Sequence, residues 1–329
     1  MLVSPRLLAS SLFLASVASA PLAAQQPGTH QLAPVTVQAE TPSPAIWEFR
    51  KGNKVLWILG ALYPVPRDIH YDTRAIEQRI AQSEVVISFP GMALGEDIGF
   101  FKGLTLIPAA MKARNNPDGK LLRDVLPADT YARWQAAKAK YIGRDTGIEK
   151  RRPLYAAFTL WDAALKKSGL APTAPWIVTK TAKRHDIPVR DARVHISVDE
   201  PRQALKQFRK TPLGDTACME QTLDRLETDL ASMRPRAQAW ATGDTERMRA
   251  LPYREQMDTC LAALSANSVV RAQGVDDLQG QMLARWMAEV RKASAEYDVM
   301  FAALPVRQLL DGDGVVESLR REGFELQVH

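Results

Sequence analysis

The sequence lacks most of the short signatures that announce a chemistry. Walker, Rossmann and H-E-x-x-H patterns are absent, and no G-x-S-x-G surrounds Ser88, a serine within the strand-like run Val85–Phe89. No internal repeat occurs at a fixed period. Past residue 24 no run reaches the roughly 18 apolar residues of a membrane-spanning helix. Neither sign of charge dominates: 43 Lys and Arg stand against 37 Asp and Glu, a net charge of +6. The basic residues are spread along the chain, and Lys150-Arg151-Arg152 reads as a solvated helix end, so no nucleic-acid partner is expected. Histidine and cysteine are scarce, at five and two residues. The wide spacing of Cys218 and Cys260 excludes a C-x-x-C redox site.

What is present is ordinary for a globular protein, with 46% hydrophobic and 24% charged residues. Met1–Ala24 has the form of a secretory signal peptide: Arg6 is its positive end, Leu7–Val17 its apolar core, and small residues follow. The expected cleavage after Ala24 would leave a periplasmic or secreted protein with no transmembrane segment. Residues 25–44, rich in Gln, Pro and Thr, read as a disordered linker. The rest, 45–329, reads as one domain. In an oxidising compartment an even pair of cysteines is expected to bond, so Cys218 and Cys260 are assigned a disulfide.

The periodicities give short strands separated by longer helices. Ile46–Arg50 and Val55–Leu59 form a hairpin across Gly52-Asn53, Val85–Phe89 is a core strand, and Ile187–Val189, Val299–Leu304 and Phe324–Val328 are the later strands. Helices are expected at Asp72–Ser83, Gly99–Lys112, Asp129–Tyr141, Leu154–Lys167, Pro175–Arg184, Pro201–Arg209, Cys218–Met233, Thr245–Ala250, Met257–Leu264, Leu278–Glu296 and Val315–Glu322. Trp134, Trp161, Trp240 and Trp286 fall on these helices and read as core packing. The pattern predicts an α+β, mixed α/β fold: a central sheet, surrounding helices and a helical insert.

One stretch organises the rest. Val55–Leu59 is a buried strand that stops at Gly60, followed by Tyr63, Pro64 and Pro66 in an extended loop. A strand that ends at a glycine with a polar tip beyond it is how α/β folds present a site. This layout resembles the first signature of the TraB/GumN family, which includes the TIKI metalloproteases: a strand, G-x-x-H, then a proline. GKLLRDVLPADTYARW (Gly119–Trp134), EKRRPLYAAFTLWDAALKKSGL (Glu149–Leu170), AWATGDTERM (Ala239–Met248) and LLDGDGVVESLRREGFEL (Leu309–Leu326) follow in the family's order. The resemblance spans Trp47 to Val328.

The resemblance implies a metal site built from two G-x-x-H histidines and an acidic residue after the second strand. Such a set binds a divalent ion and leaves a position for water. Here Tyr63 occupies the first histidine position and Ser88 or Phe89 the acidic one. Pro305-Val306-Arg307-Gln308 replaces the second motif, with Gln308 at its histidine. Tyrosine and glutamine hydrogen-bond well but are not usual ligands of a hydrolytic metal. The sequence therefore predicts a catalytically degenerate family member with no cofactor, binding an unidentified polar ligand or protein near Gly60, Tyr63, Ser88 and Gln308. The alternative is a divergent hydrolase whose site is rebuilt from His70 and carboxylates such as Asp68, Asp72 or Glu96.

Overall fold

The hairpin forms where alternation and turn chemistry place it. Strand β1 (Ile46–Lys51) and strand β2 (Lys54–Ala61) pair antiparallel from Ile46↔Leu59 to Lys51↔Lys54. Gly52 takes the positive φ of 59° that the first position of a two-residue hairpin loop favours. The computed structural model describes residues 42–94, 100–171, 175–198, 200–251, 257–311 and 314–328; the expected leader and most of the expected linker lie outside them. The hairpin joins strands β3 (Val85–Ile87), β4 (Val189–Arg190), β5 (Val299–Pro305) and β6 (Glu325–Val328) in a six-stranded sheet of order β6-β1-β2-β5-β3-β4. β6 and β1 are antiparallel, whereas β2, β5, β3 and β4 run parallel. Central parallel strands are covered on both faces, which is why β2 and β5 are almost continuously apolar and buried.

Helices cover the sheet. Ile76 and Ile80 of Arg74–Ala81, Val178 and Ala182 of Pro175–Arg184, Trp286 and Val290 of Leu278–Glu296, and Leu319 of Val315–Arg321 pack into one core with Phe49, Leu56, Ile58 and Phe301 of the strands. A second core is helical. It joins Trp134 of Ala128–Tyr141, Leu160 and Trp161 of Pro153–Lys167, and Leu223 of Thr216–Thr228. The helical insert is thus one core assembled from two excursions of the chain, before and after β4. All four helix tryptophans are buried, at 0–3% exposure, which excludes them as a stacking platform for a ligand.

Arg152 ties the two excursions together. It is 1% exposed, yet its guanidinium donates to the carbonyls of Phe208 (2.7 Å), Thr211 (3.0 Å), Arg209 (3.1 Å) and Asn115 (3.3 Å). Three of these carbonyls lie at the C-terminal end of helix Pro201–Lys210, where the helix dipole is negative. Burial pushes the Arg152 pKa down.

Several elements differ from the sequence reading, among them the strand expected at Ile187–Val189, which is Val189–Arg190. Val85–Phe89 contributes only Val85–Ile87 to the sheet; the Ser88 N–H still donates to the Arg190 carbonyl at 2.9 Å, and its hydroxyl accepts from the Ala192 N–H beyond β4. The expected helix Cys218–Met233 is two helices, Thr216–Thr228 and Leu230–Ala241. Pro235 reads as a breaker, but the break falls at Asp229 and the second helix carries Pro235 inside it. Two short pairs, Val65–Pro66 with Leu170–Ala171 and Gly91–Leu94 with Arg193–Ile196, are too brief for any periodicity to reveal.

Cys218 and Cys260 are joined across the helical core, 42 residues apart in sequence and both fully buried. Closing a loop of that length in the unfolded chain stabilises the fold by about 4 kcal/mol. Thiol titration of the denatured, unreduced protein is expected to find no free cysteine. The Cys218→Ser, Cys260→Ser double variant should lose about 2–4 kcal/mol in denaturant unfolding.

Candidate functional site

Because β2, β5, β3 and β4 are parallel, their carboxyl ends share one edge of the sheet, where α/β folds place ligands. β2 and β5 are in register there, Gly60 beside Leu304 and Ala61 beside Pro305. A Cβ on Gly60 would lie 2.5 Å from the Trp47 ring and 2.8 Å from Val306 Cγ2. The position admits only glycine, and its role is close approach. The buried Trp240 indole N–H then donates to the Gly60 carbonyl at 2.6 Å and its ring meets Tyr71 edge-on at 4.8 Å.

Beyond these strand ends lies a pocket of about 310 Å³. Leu62, Met248, Val306 and Leu310 give it an apolar floor, and Arg236, Arg249, Arg307 and Asp311 give it charge. Arg236 is 3% exposed and donates to Ser232 Oγ at 2.9 Å. Arg249 Nε donates to the Leu310 carbonyl at 3.1 Å, and Arg307 pairs with Asp311 at 3.1 Å. Among the described residues the lining holds three guanidinium groups and one carboxylate.

The residues singled out from sequence sit around this edge in different ways. Leu62 and Arg307, the neighbours of Tyr63 and Gln308, line the pocket. Tyr63 lies at the boundary of the helical core: burial raises its phenol pKa, the Asp162 carboxylate adds to this, and Trp161 and Arg225 partly offset it. Gln308 is half-buried in the helix Val306–Leu310, and its Oε1 is buried without a hydrogen-bond partner among the described residues. The Ser88 hydroxyl accepts from Ala192 N–H at 2.9 Å and donates to the Phe89 carbonyl at 3.4 Å, so it is committed to backbone. Phe89 packs against the sheet core.

The rebuilt-site alternative finds its carboxylates engaged. Asp68 takes two hydrogen bonds from Arg234, at 3.1 and 3.2 Å, and Asp72 is forked by Arg74. Hydrogen bonds from those arginines lower both carboxyl pKa values. His70 is exposed, and Glu96 lies outside the described residues. Among the described residues no three His, Cys, Asp or Glu side chains gather where an ion could be held.

The family model described as TraB/PrgY/gumN matches residues 45–328. The chain belongs to this family. No curated protein and no solved structure matches it. The two-histidine, one-acid metal set that the TraB/GumN resemblance implies does not fit the residues present. The residues that the sequence reading puts at its positions, Tyr63, Ser88 or Phe89, and Gln308, carry neither an imidazole nor a carboxylate, and the adjoining pocket carries guanidinium groups that repel a dication.

Sequence reasoning missed Arg236 and Arg249. The signal for Arg236 was present: it shares a helical face with Met233, Ala237 and Trp240, so it reads as an arginine on a buried stripe. Replacing Gly60 by alanine should overpack the strand end and destabilise the protein by about 1–3 kcal/mol. Chemical unfolding of Gly60→Ala beside the native protein measures this, with Gly91→Ala, whose Cβ meets only an ordinary contact at 3.7 Å, as the control.

Proposed function

We propose that this TraB/PrgY/gumN family member is an exported binding protein that holds a small anionic ligand at the carboxyl edge of its sheet and performs no metal-dependent hydrolysis. The observation that carries the proposal is the buried Arg236 beside Arg249 and Arg307 in a pocket with an apolar floor. Guanidinium forks bind carboxylate or phosphate bidentately, and they are most effective where water is excluded. Leu62, Met248 and Leu310 would cover an apolar part of the same ligand. Gly60, Tyr63, Ser88 and Gln308 then act as the frame: Gly60 lets the strand end close up, Ser88 fixes the turn after β3, and Tyr63 and Gln308 adjoin the lining residues Leu62 and Arg307. Export is supported by the leader-like Met1–Ala24 and by a disulfide suited to an oxidising compartment.

A thermal-unfolding screen of small carboxylates and phosphate esters tests the proposal. A ligand at about 100 times its Kd stabilises the native state by about 2.7 kcal/mol, a rise of several degrees. At least one anionic class should produce that rise, and Arg236→Met should lose it while Arg234→Met, which removes a surface pair with Asp68, should keep it. Equal responses in the two variants, or none in the native protein, would refute an anion pocket at this edge.

A further inference from the structure

A second cavity, of about 740 Å³, lies among helices and shares no lining residue with the strand-edge pocket. Protein interiors are close-packed, and a void of this size lies within the roughly 300–1,000 Å³ range of small-molecule sites. Helix Phe100–Ala113 forms one wall through Leu106 and Ala110; Phe158, Leu205, Phe208 and Val270 form the others. The lining is overwhelmingly apolar. Its polar groups are Arg114, Tyr155 and Gln273. Arg114 is exposed, lies over the Tyr155 ring with Cζ 5.9 Å from the centroid, and has no carboxylate partner among the described residues. Met92, 40% exposed, also lines the cavity and adds an adaptable apolar side chain where it opens to solvent.

From this arrangement we infer that the helical core binds a long-chain fatty acid, its chain in the apolar cavity and its carboxylate paired with Arg114 at the mouth. An apolar lining whose one cation among the described residues is the exposed Arg114 favours a single-chain anionic amphiphile over a neutral apolar ligand. The guanidinium fork matches a carboxylate in shape and sign. The Tyr155 phenol, half-buried beside Arg114, supplies a second donor at the same end. The Arg236 pocket plays no part in this inference, so either site can fail without the other.

Titration calorimetry on the delipidated full chain decides it, with palmitate, hexadecanol and octanoate as probes. Palmitate should bind one to one, and octanoate more weakly because it buries less chain. Arg114→Gln should weaken palmitate about tenfold and leave hexadecanol unchanged, since only the charged head loses its partner. Ala110→Trp should fill the cavity and abolish both; Leu205→Trp, from the opposite wall, serves if that variant does not fold. The inference is overturned if palmitate does not bind the native chain, if Arg114→Gln weakens acid and alcohol equally, or if palmitate binding survives both tryptophan substitutions.

Discussion

Everything at the functional edge depends on the approach of the Trp47 indole to the backbone of Gly60. With no Cβ at that residue, the ring from β1, the Val306 methyl that follows β5 and the Trp240 indole from helix Leu230–Ala241 all reach the same peptide. The contact links elements that are remote in sequence. Together with the Trp240 hydrogen bond it holds helix Leu230–Ala241 against the sheet, and so brings Arg236 to the strand ends. Trp240 buries a polar N–H at no penalty because the Gly60 carbonyl accepts it.

The same scaffold would carry a metal if its ends bore imidazoles and a carboxylate. Charge decides against it here. Tyr63, Ser88 and Gln308 bring no negative charge, and the nearby lining presents three guanidinium groups to one carboxylate. Two unit charges about 4 Å apart interact by about 4 kcal/mol at an effective dielectric of 20. A dication beside the described guanidinium groups is opposed by charge. An anion meets the reverse.

Much of this was legible in the sequence. The hairpin, the burial of the four helix tryptophans and the cysteine pair follow from local rules: alternation, turn residues, helical spacing and redox compartment; the strand expected to stop at Gly60 instead runs through it to Ala61. The family resemblance also placed Tyr63 and Gln308 next to residues that do line the pocket. What stayed hidden was non-local. Arg236, Arg249 and Arg307 lie on three helices, and no spacing rule joins them. Gln308 reads as a replaced ligand, but only the fold shows its Oε1 buried and without a partner among the described residues. The two-residue pairing of Val65–Pro66 with Leu170–Ala171 carries no period at all. The apolar cavity likewise arises from helices Phe100–Ala113, Pro153–Lys167 and Pro201–Lys210, each of which reads as an ordinary amphipathic helix.

The central claim is that replacing the family's ligand residues has removed its metal chemistry. Titration calorimetry with manganese, cobalt and zinc on the native protein, repeated on Tyr63→Phe and Gln308→Ala, tests it most directly. The account predicts no stoichiometric uptake of any of the three ions and the same trace for all three proteins. Tight one-to-one binding by the native protein that either substitution abolishes would contradict it and would restore the strand-end residues as a metal site.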